Sequence, residues 1–307
     1  MAAVLSVQNL TKDYGKIRAL DNVSFDVPKG SVFGILGPNG SGKTTLLSIV
    51  MDVVKATNGS FLWNGQPGSN EIRKQIGTLL ETPNFYHYLS GAKNLRIAAA
   101  IKERGIADID AVLEKVNLLQ RKDSKFSTYS LGMKQRLAIA STLLGNPDIL
   151  VFDEPTNGLD PAGIAEIRNL MKELSQQGKT IIMASHILDE VEKVCTHVAI
   201  IQKGVLKTVG TVQEVLNASP SDKTATVEIE LAAENMDALE EVLKQMTGVA
   251  AMHRNDAAFS LEGDDTITTT AINRYCFEKG IVLNHLNLKR KSLEKRFLEI
   301  TGGKSDR

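Results

Sequence analysis

Hydrophobic and polar positions change their period several times along the chain. In "VSFDV" alternate residues Val23, Phe25 and Val27 fall on one face of a strand, and Pro28-Lys29-Gly30 turns the chain into "SVFGIL". That second run is apolar on both faces, as a central parallel strand is. From about residue 85 to 145 the period lengthens. Ile109, Val112, Leu113 and Val116 recur at i, i+3, i+4 and i+7, which predicts a helical insertion. "DILVF" then returns as a buried strand, and Asp160-Pro161 opens a helix whose apolar face carries Ile164, Ile167, Leu170, Met171 and Leu174. "TIIMAS" and "VAIIQ" supply further strands. The alternation predicts an α/β core with a mainly parallel sheet covered by helices.

A polar, breaker-rich stretch, "NASPSDKTA", interrupts this pattern near residue 218. Beyond it, "TVEIEL", "MDALEEVLKQM", "AAMHR", "AAFSLEG", "TTTAINRYCFEKG" and "VLNHLNL" read in turn as strand, helix, strand, strand, helix and strand. That order predicts a small ferredoxin-like α+β domain, closed by a helix over "SLEKRFLEI". The expected division is therefore 1–217 and 218–307. Nothing in the second part suggests chemistry, and His253 and His285 read as surface or core residues rather than ligands.

Composition narrows the possibilities. A chain of 307 residues has room for two domains with cores of their own. Its 36 basic and 36 acidic residues cancel, so no net field draws nucleic acid, and no nucleic-acid partner is expected. The run "LKRKSLEKR" reads as solvated helix surface. Two cysteines, Cys195 and Cys276, suit a reducing compartment. No apolar run reaches the roughly 20 residues of a bilayer-spanning helix, and the N-terminus lacks a secretory pattern. A role at a membrane would come through a partner chain.

Candidate chemistry begins where "GPNGSGKTT", Gly37 to Thr45, separates the buried strand from the next helix. Gly37, Gly40 and Gly42 allow backbone N–H groups to converge on an anion, and the helix adds its own unpaired donors and dipole. Lys43 supplies a point charge for β- and γ-phosphates, Thr44 a hydroxyl for Mg2+, and Thr45 a further phosphate contact. Pro38, Asn39 and Ser41 complete the loop. The pattern predicts a nucleotide site without saying what work it does. Downstream, "ILVFDEP" ends an apolar strand in Asp153 and Glu154, which point in different directions. Asp153 suits a Mg2+ shell and Glu154 a general base acting on water. A plain strand end is the alternative for these two residues taken alone.

With "YSLGMKQRLAIAS" before and "MASHI" after, the motifs resemble the nucleotide-binding subunit of an ATP-binding cassette (ABC) transporter over residues 4 to about 217. "GPNGSGKTT" is similar to the family's Walker A motif and "ILVFDEP" to Walker B with its catalytic glutamate. "YSLGMKQR" is similar to the signature usually written LSGGQ, "NGLD" to the D-loop and "ASH" to the H-loop, all in the family's order. The resemblance implies hydrolysis of ATP to ADP and phosphate, with ATP and Mg2+ as cofactors, driving a separately encoded integral-membrane permease. It implies a head-to-tail dimer with a second copy or a paralogous ATPase. In that dimer one subunit's phosphate loop shares its nucleotide with Ser130 and Gly132 of the other, and Asp160 crosses the interface. Glu154, Lys43 and His186 are the implied catalytic residues. Tyr14, in "KDYGKIRALDNVSF", stands where the family stacks an aromatic on adenine. Read without the family, Tyr14 equally packs a strand edge; for His186 the lesser alternative is a satisfied histidine at a strand end. A cytoplasmic position, peripheral on the membrane through the permease, follows from the same resemblance.

Two departures refine it. Positions 131 and 133 of the signature are Leu and Met where Gly and Gln are usual. In "IGTLLETPNFY", Glu81 stands where the Q-loop glutamine, a metal ligand, is expected; it keeps an oxygen and loses two donors. These features, with the closing "SLEKRFLEITG", resemble the ATPases of bacitracin and lantibiotic-immunity exporters, which implies an antimicrobial peptide or drug-like cargo. Two other classes compete. Soluble ABC proteins of translation usually carry two cassettes, and those of DNA repair a long coiled coil. A phosphate-loop kinase or switch GTPase would lack the signature and the H-loop.

Overall fold

The computed structural model describes residues 2–80, 84–217, 227–255, 257–263, 267–289 and 293–302. Glu81 and all of "NASPSDKTA" except Asn217 lie outside the described residues. The chain forms two compact units. One holds the residues up to Val212 together with those from Ile300 onward, and the other holds Gln213–Glu299.

The first unit runs through β1 (Ala3–Tyr14), β2 (Ile17–Pro28), β3 (Val32–Leu36), α1 (Lys43–Val50), β4 (Asn58–Trp63), β5 (Gln66–Pro67), α2 (Asn70–Lys74) and β6 (Ile76–Leu79). It continues with α3 (Gly91–Lys102), α4 (Ile109–Lys115), α5 (Leu131–Leu143), β7 (Ile149–Asp153), α6 (Pro161–Gln176), β8 (Thr180–Ser185), α7 (Leu188–Val194), β9 (His197–Gln202), β10 (Val205–Thr211) and the start of α8 (Val212–Asn217). A six-stranded sheet has the order β10-β9-β3-β8-β7-β6. Its strands are parallel except β10, which returns antiparallel to β9. All five residues of β3 are buried, as the two-sided apolar run requires.

A second sheet, β2-β1-β4-β5, is antiparallel. The alternation of Val23, Phe25 and Val27 reveals a strand, but nothing in it says that the strand belongs to a separate layer. Helix α1 lies in the core that the two sheets share: Leu46, Leu47, Ile49 and Val50 cluster with Val7, Leu20 and Val27 of one sheet and Ile35, Val151 and Ile182 of the other. Phe25 and Phe33 stack with ring centroids 5.3 Å apart, joining β2 to β3. The Trp63 indole N–H donates to the Val50 carbonyl at 2.9 Å, holding the C-terminal end of α1. A helix fixed this firmly fixes the loop that precedes it.

The expected helical insertion consists of α3, α4 and α5, between the parallel neighbours β6 and β7. Ile109, Val112, Leu113 and Val116 are all buried there. The Lys102 ammonium donates to the Ser141 and Thr142 carbonyls near the C-terminal end of α5, at 2.9 and 3.4 Å, where a cation suits the helix dipole.

The second unit contains β11 (Val227–Ala233), α9 (Met236–Lys244), β12 (Val249–Arg254), β13 (Phe259–Gly263), α10 (Thr269–Glu278), β14 (Leu283–Lys289) and most of α11 (Leu293–Thr301). Its sheet is wholly antiparallel in the order β12-β13-β11-β14, the ferredoxin-like arrangement. Ile229, Leu231, Leu239, Leu243, Phe259, Leu261 and Ile272 form its core. The boundary differs from the expected 217/218. Arg296 Nε donates to the Val215 carbonyl at 3.1 Å, which draws most of α8 into this unit. The end of α11 returns to the first unit, where the Gln202 side-chain amide donates to the Thr301 carbonyl at 3.0 Å.

Candidate functional site

The chain leaves β3 at Leu36, winds through Gly37–Gly42 and enters α1 at Lys43. Gly42, at φ 108°, has no room for a side chain: a Cβ there would lie 2.5 Å from the Ala19 carbonyl oxygen. At Gly37 a Cβ would lie 2.2 Å from the Ile201 carbonyl oxygen. The loop is thus pressed against β2 and β9 and opens the other way. Residues 39–45 line a cavity of about 440 Å3, together with Ile17, Arg18, Ala19, Glu154 and Lys203. Ser41 Oγ is buried in the loop without a hydrogen-bond partner.

Lys43 is 5% exposed. Its ammonium donates to the Gly37 and Pro38 carbonyls at 2.8 and 3.2 Å and lies 3.6 Å from Glu154 Oε1. Burial pushes its pKa down, and the charges of Glu154 and Asp153 partly restore it. The other carboxylate oxygen of Glu154 lies 2.8 Å from His186 Nδ1. Glu154 therefore bridges a lysine from the start of α1 and a histidine from the end of β8.

Glu154 has φ 48°, a left-handed conformation uncommon for a residue with a side chain. Its N–H donates to the Ala184 carbonyl at 3.0 Å and its own carbonyl accepts from Asn157 N–H at 3.1 Å, so the turn is pinned on both sides. The reversal separates the two neighbouring carboxylates. Asp153 stays buried at the end of β7, whereas Glu154 faces the cavity. Thr44 is exposed in the cavity wall. Its hydroxyl and the Asp153 carboxylate are hard oxygen donors of the kind Mg2+ takes.

A second cavity, of about 380 Å3, lies among Ser130, Leu131, Gly132, Arg136, Gly158, Leu159, Asp160, Ala162, Gly163 and Glu166. Two helix N-termini meet here. Ser130 Oγ caps α5 by accepting from Met133 N–H at 3.3 Å, and Asp160 caps α6 by accepting from Gly163 N–H at 3.0 Å. The structure brings Ser130, Gly132 and Asp160 together, but this cavity shares no lining residue with the first. The Gln135 side-chain amide donates to the Pro155 carbonyl at 2.9 Å, tying α5 to the segment that follows Glu154.

Tyr14 ends β1 as the register partner of Ile17. It is 47% exposed, with the Lys12 ammonium 4.9 Å from its ring centroid, and it is outside the lining of the first cavity, which Ile17 enters. Gly37 and Pro38 also lie outside the lining, their carbonyls holding Lys43. Ile17, Arg18, Ala19 and Lys203 are the lining residues that sequence reasoning missed. They come from the start of β2 and from the turn between β9 and β10, neither of which carries a phosphate motif, and only the tertiary fold brings them to the loop.

The ABC transporter family model matches residues 20–157. Over 98% of its length the chain is 38% identical to the uncharacterized ABC transporter ATP-binding protein YhcH of Bacillus subtilis, of which it covers 97%. It is 33% identical to the bacitracin transport ATP-binding protein BcrA of Enterococcus faecalis, over 99% of this chain and 98% of that one. A solved dimeric ATP-binding cassette in a post-hydrolysis state, bound to ADP and Pi, superposes with a TM-score of 0.62 at 27% identity, covering 68% of this chain and 98% of that one. A cassette fold with full-length relatives on this scale leaves one assignment: the chain belongs to the ATP-binding subunits of ABC transporters and is an ATPase.

Proposed function

We propose that the chain hydrolyses ATP as half of a head-to-tail dimer and drives a separate integral-membrane permease that exports an antimicrobial peptide or drug-like compound. The observation that carries the chemical part is Glu154 held between Lys43 and His186 at the wall of the phosphate-loop cavity.

In this reading the loop N–H groups and Lys43 bind the phosphate chain. Lys43 must then give up Glu154 and the Gly37 and Pro38 carbonyls for phosphate oxygens, which leaves Glu154 held by His186 alone. Glu154 orients a water and takes its proton. His186 keeps the carboxylate aimed and contacts the γ-phosphate. Thr44 and Asp153 would hold Mg2+; the ion, when bound, would neutralise charge on the β- and γ-phosphate oxygens. Ile17 at the cavity wall offers an apolar face to adenine, and stacking by its register partner Tyr14, which lies outside the lining, would need the ring to turn toward the base. Because Ser130, Gly132 and Asp160 line a cavity separate from Lys43, one chain supplies the two halves of a site to two different nucleotides. Pairing with a second copy or a paralogue joins them, and the α5 N-terminus then adds its donors to the γ-phosphate.

Among the described residues no helix is long and apolar enough to cross a membrane; the separate permease and a position on its cytoplasmic side belong to the family reading. The cargo class is supported by the bacitracin-transport relative, whose likeness runs through the second unit as well as the cassette. The test is protection. Expressed with its permease in a sensitive bacterium, the chain should raise the bacitracin-class peptide concentration that the cells survive, and the Glu154→Gln chain should not. An active ATPase complex that protects against no such peptide would overturn the cargo assignment.

A further inference from the structure

We propose that Lys203, on the turn between β9 and β10, is a further nucleotide-binding residue whose ammonium engages the phosphate chain of ADP or ATP. The proposal rests on the reading of Gly37–Thr45 as the nucleotide site.

The turn is built into the cavity wall. Gly204 N–H donates to the Ser41 carbonyl of the phosphate loop at 2.9 Å, and the Gly204 carbonyl accepts from Asp21 N–H on β2 at 2.9 Å. A Cβ on Gly204 would lie 2.8 Å from the Ala19 carbonyl oxygen, so the backbones are in close contact. Lys203 itself has φ 50°. Glycine or asparagine adopts that conformation at least cost, yet the position carries a long cation, and the cation lines the cavity.

Charge accounting singles it out. Arg18 is tied to Asp13 at 2.9 Å and Asp21 at 3.2 Å. Lys43 is held by two carbonyls and Glu154. Lys203, the remaining cation of the lining, is exposed and has neither an ion pair nor a side-chain hydrogen bond among the described residues. An ammonium without an anionic partner, anchored one residue from a backbone contact to Ser41, complements a polyphosphate. At an exposed rim the expected gain in affinity is modest, about three- to tenfold.

The experiment is ADP binding to the full chain by titration calorimetry, which involves no hydrolysis. Lys203→Asn and Lys203→Gly keep the left-handed turn and remove the charge, whereas Lys203→Arg keeps the charge. Asn and Gly should each weaken ADP binding about three- to tenfold and flatten its salt dependence, with the ligand-free thermal midpoint unchanged or raised. Arg should bind close to wild type. Wild-type ADP affinity in the Asn and Gly variants, alongside lost binding in Lys43→Ala, would overturn the role of Lys203 while leaving the site. Equal loss in Asn, Gly and Arg would also overturn it, by showing that the turn rather than the charge matters. Wild-type binding by Lys43→Ala would instead defeat the nucleotide reading of the loop, and the proposal with it.

Discussion

At Glu154 one backbone angle separates two carboxylates of the same chemistry, leaving Asp153 inside and sending Glu154 to the cavity. Replacing Glu154 by Gln keeps the shape and removes the base. ATP turnover should fall by roughly 10² to 10⁴ while nucleotide binding persists; a variant that hydrolyses at the wild-type rate would refute the assignment. Removing the carboxylate also frees Lys43 from its ion pair. Lys102 makes a pH prediction. Burial lowers its pKa to about 8, so between about pH 8 and 10.5 the unfolded chain holds a proton that the folded chain has released. Stability contributed at this position therefore rises with pH across that window, by at most about 3 kcal/mol. The gap in urea midpoint between wild type and Lys102→Met should shift in favour of wild type from pH 7.5 to 9.5, and a constant gap would contradict the assignment. The loop, Asp153 and Glu154 stand in contiguous motifs whose residue types suggest a chemistry, whereas Ser130, Asp160 and His186 were reached only through the family resemblance. Ile17, Ala19 and Lys203 were legible in neither way: an isoleucine, an alanine and a surface lysine carry no signature until the fold sets them beside the loop.

Helices transmit these positions. Asp160 caps α6, and about two turns further on the same helix carries Arg168, whose guanidinium grips Glu190 of α7 at 2.5 and 3.3 Å. Helix α7 follows His186 by one residue, so the pair clamps the element behind Asp160 to the element behind His186. Glu190 is buried and Arg168 still reaches solvent, which places the pair between exposed and enclosed cases. Arg168→Ala should cost about 2 kcal/mol of unfolding free energy, read from urea denaturation. Adding Glu190→Gln should return part of that loss, because the stranded carboxylate is then gone; an additive double variant would show that the two residues act separately. Helices could be read from period, Ile109 to Val116 and Ile167 to Leu174 being examples, and central parallel strands from runs apolar on both faces. The separate antiparallel sheet could not, because Val23, Phe25 and Val27 show only that one strand face is buried and not which layer buries it. The same limit moved the boundary to Val212, since the bonds Arg296–Val215 and Gln202–Thr301 join residues far apart in sequence.

On the scale of the whole molecule, the two cavities share no lining residue, and in the proposed head-to-tail dimer pairing would make the sites composite. Lys43→Ala disables the phosphate loop and Ser130→Arg fills the α5 end, so each variant alone should be inactive. Mixed, they should recover partial ATPase activity, because each heterodimer contains one site with both halves intact. Two inactive variants that never complement would argue for catalysis within a single chain. The separation also sets a reaction order. Below the dimer's dissociation constant, a doubling of chain concentration should quadruple the total rate of hydrolysis, so specific activity climbs with dilution reversed and levels off only once every chain is paired. A permease that holds two copies side by side would abolish that dependence: it would turn a second-order enzyme into a first-order one, and ATP consumption by stray, unassembled chains would fade as they became scarce.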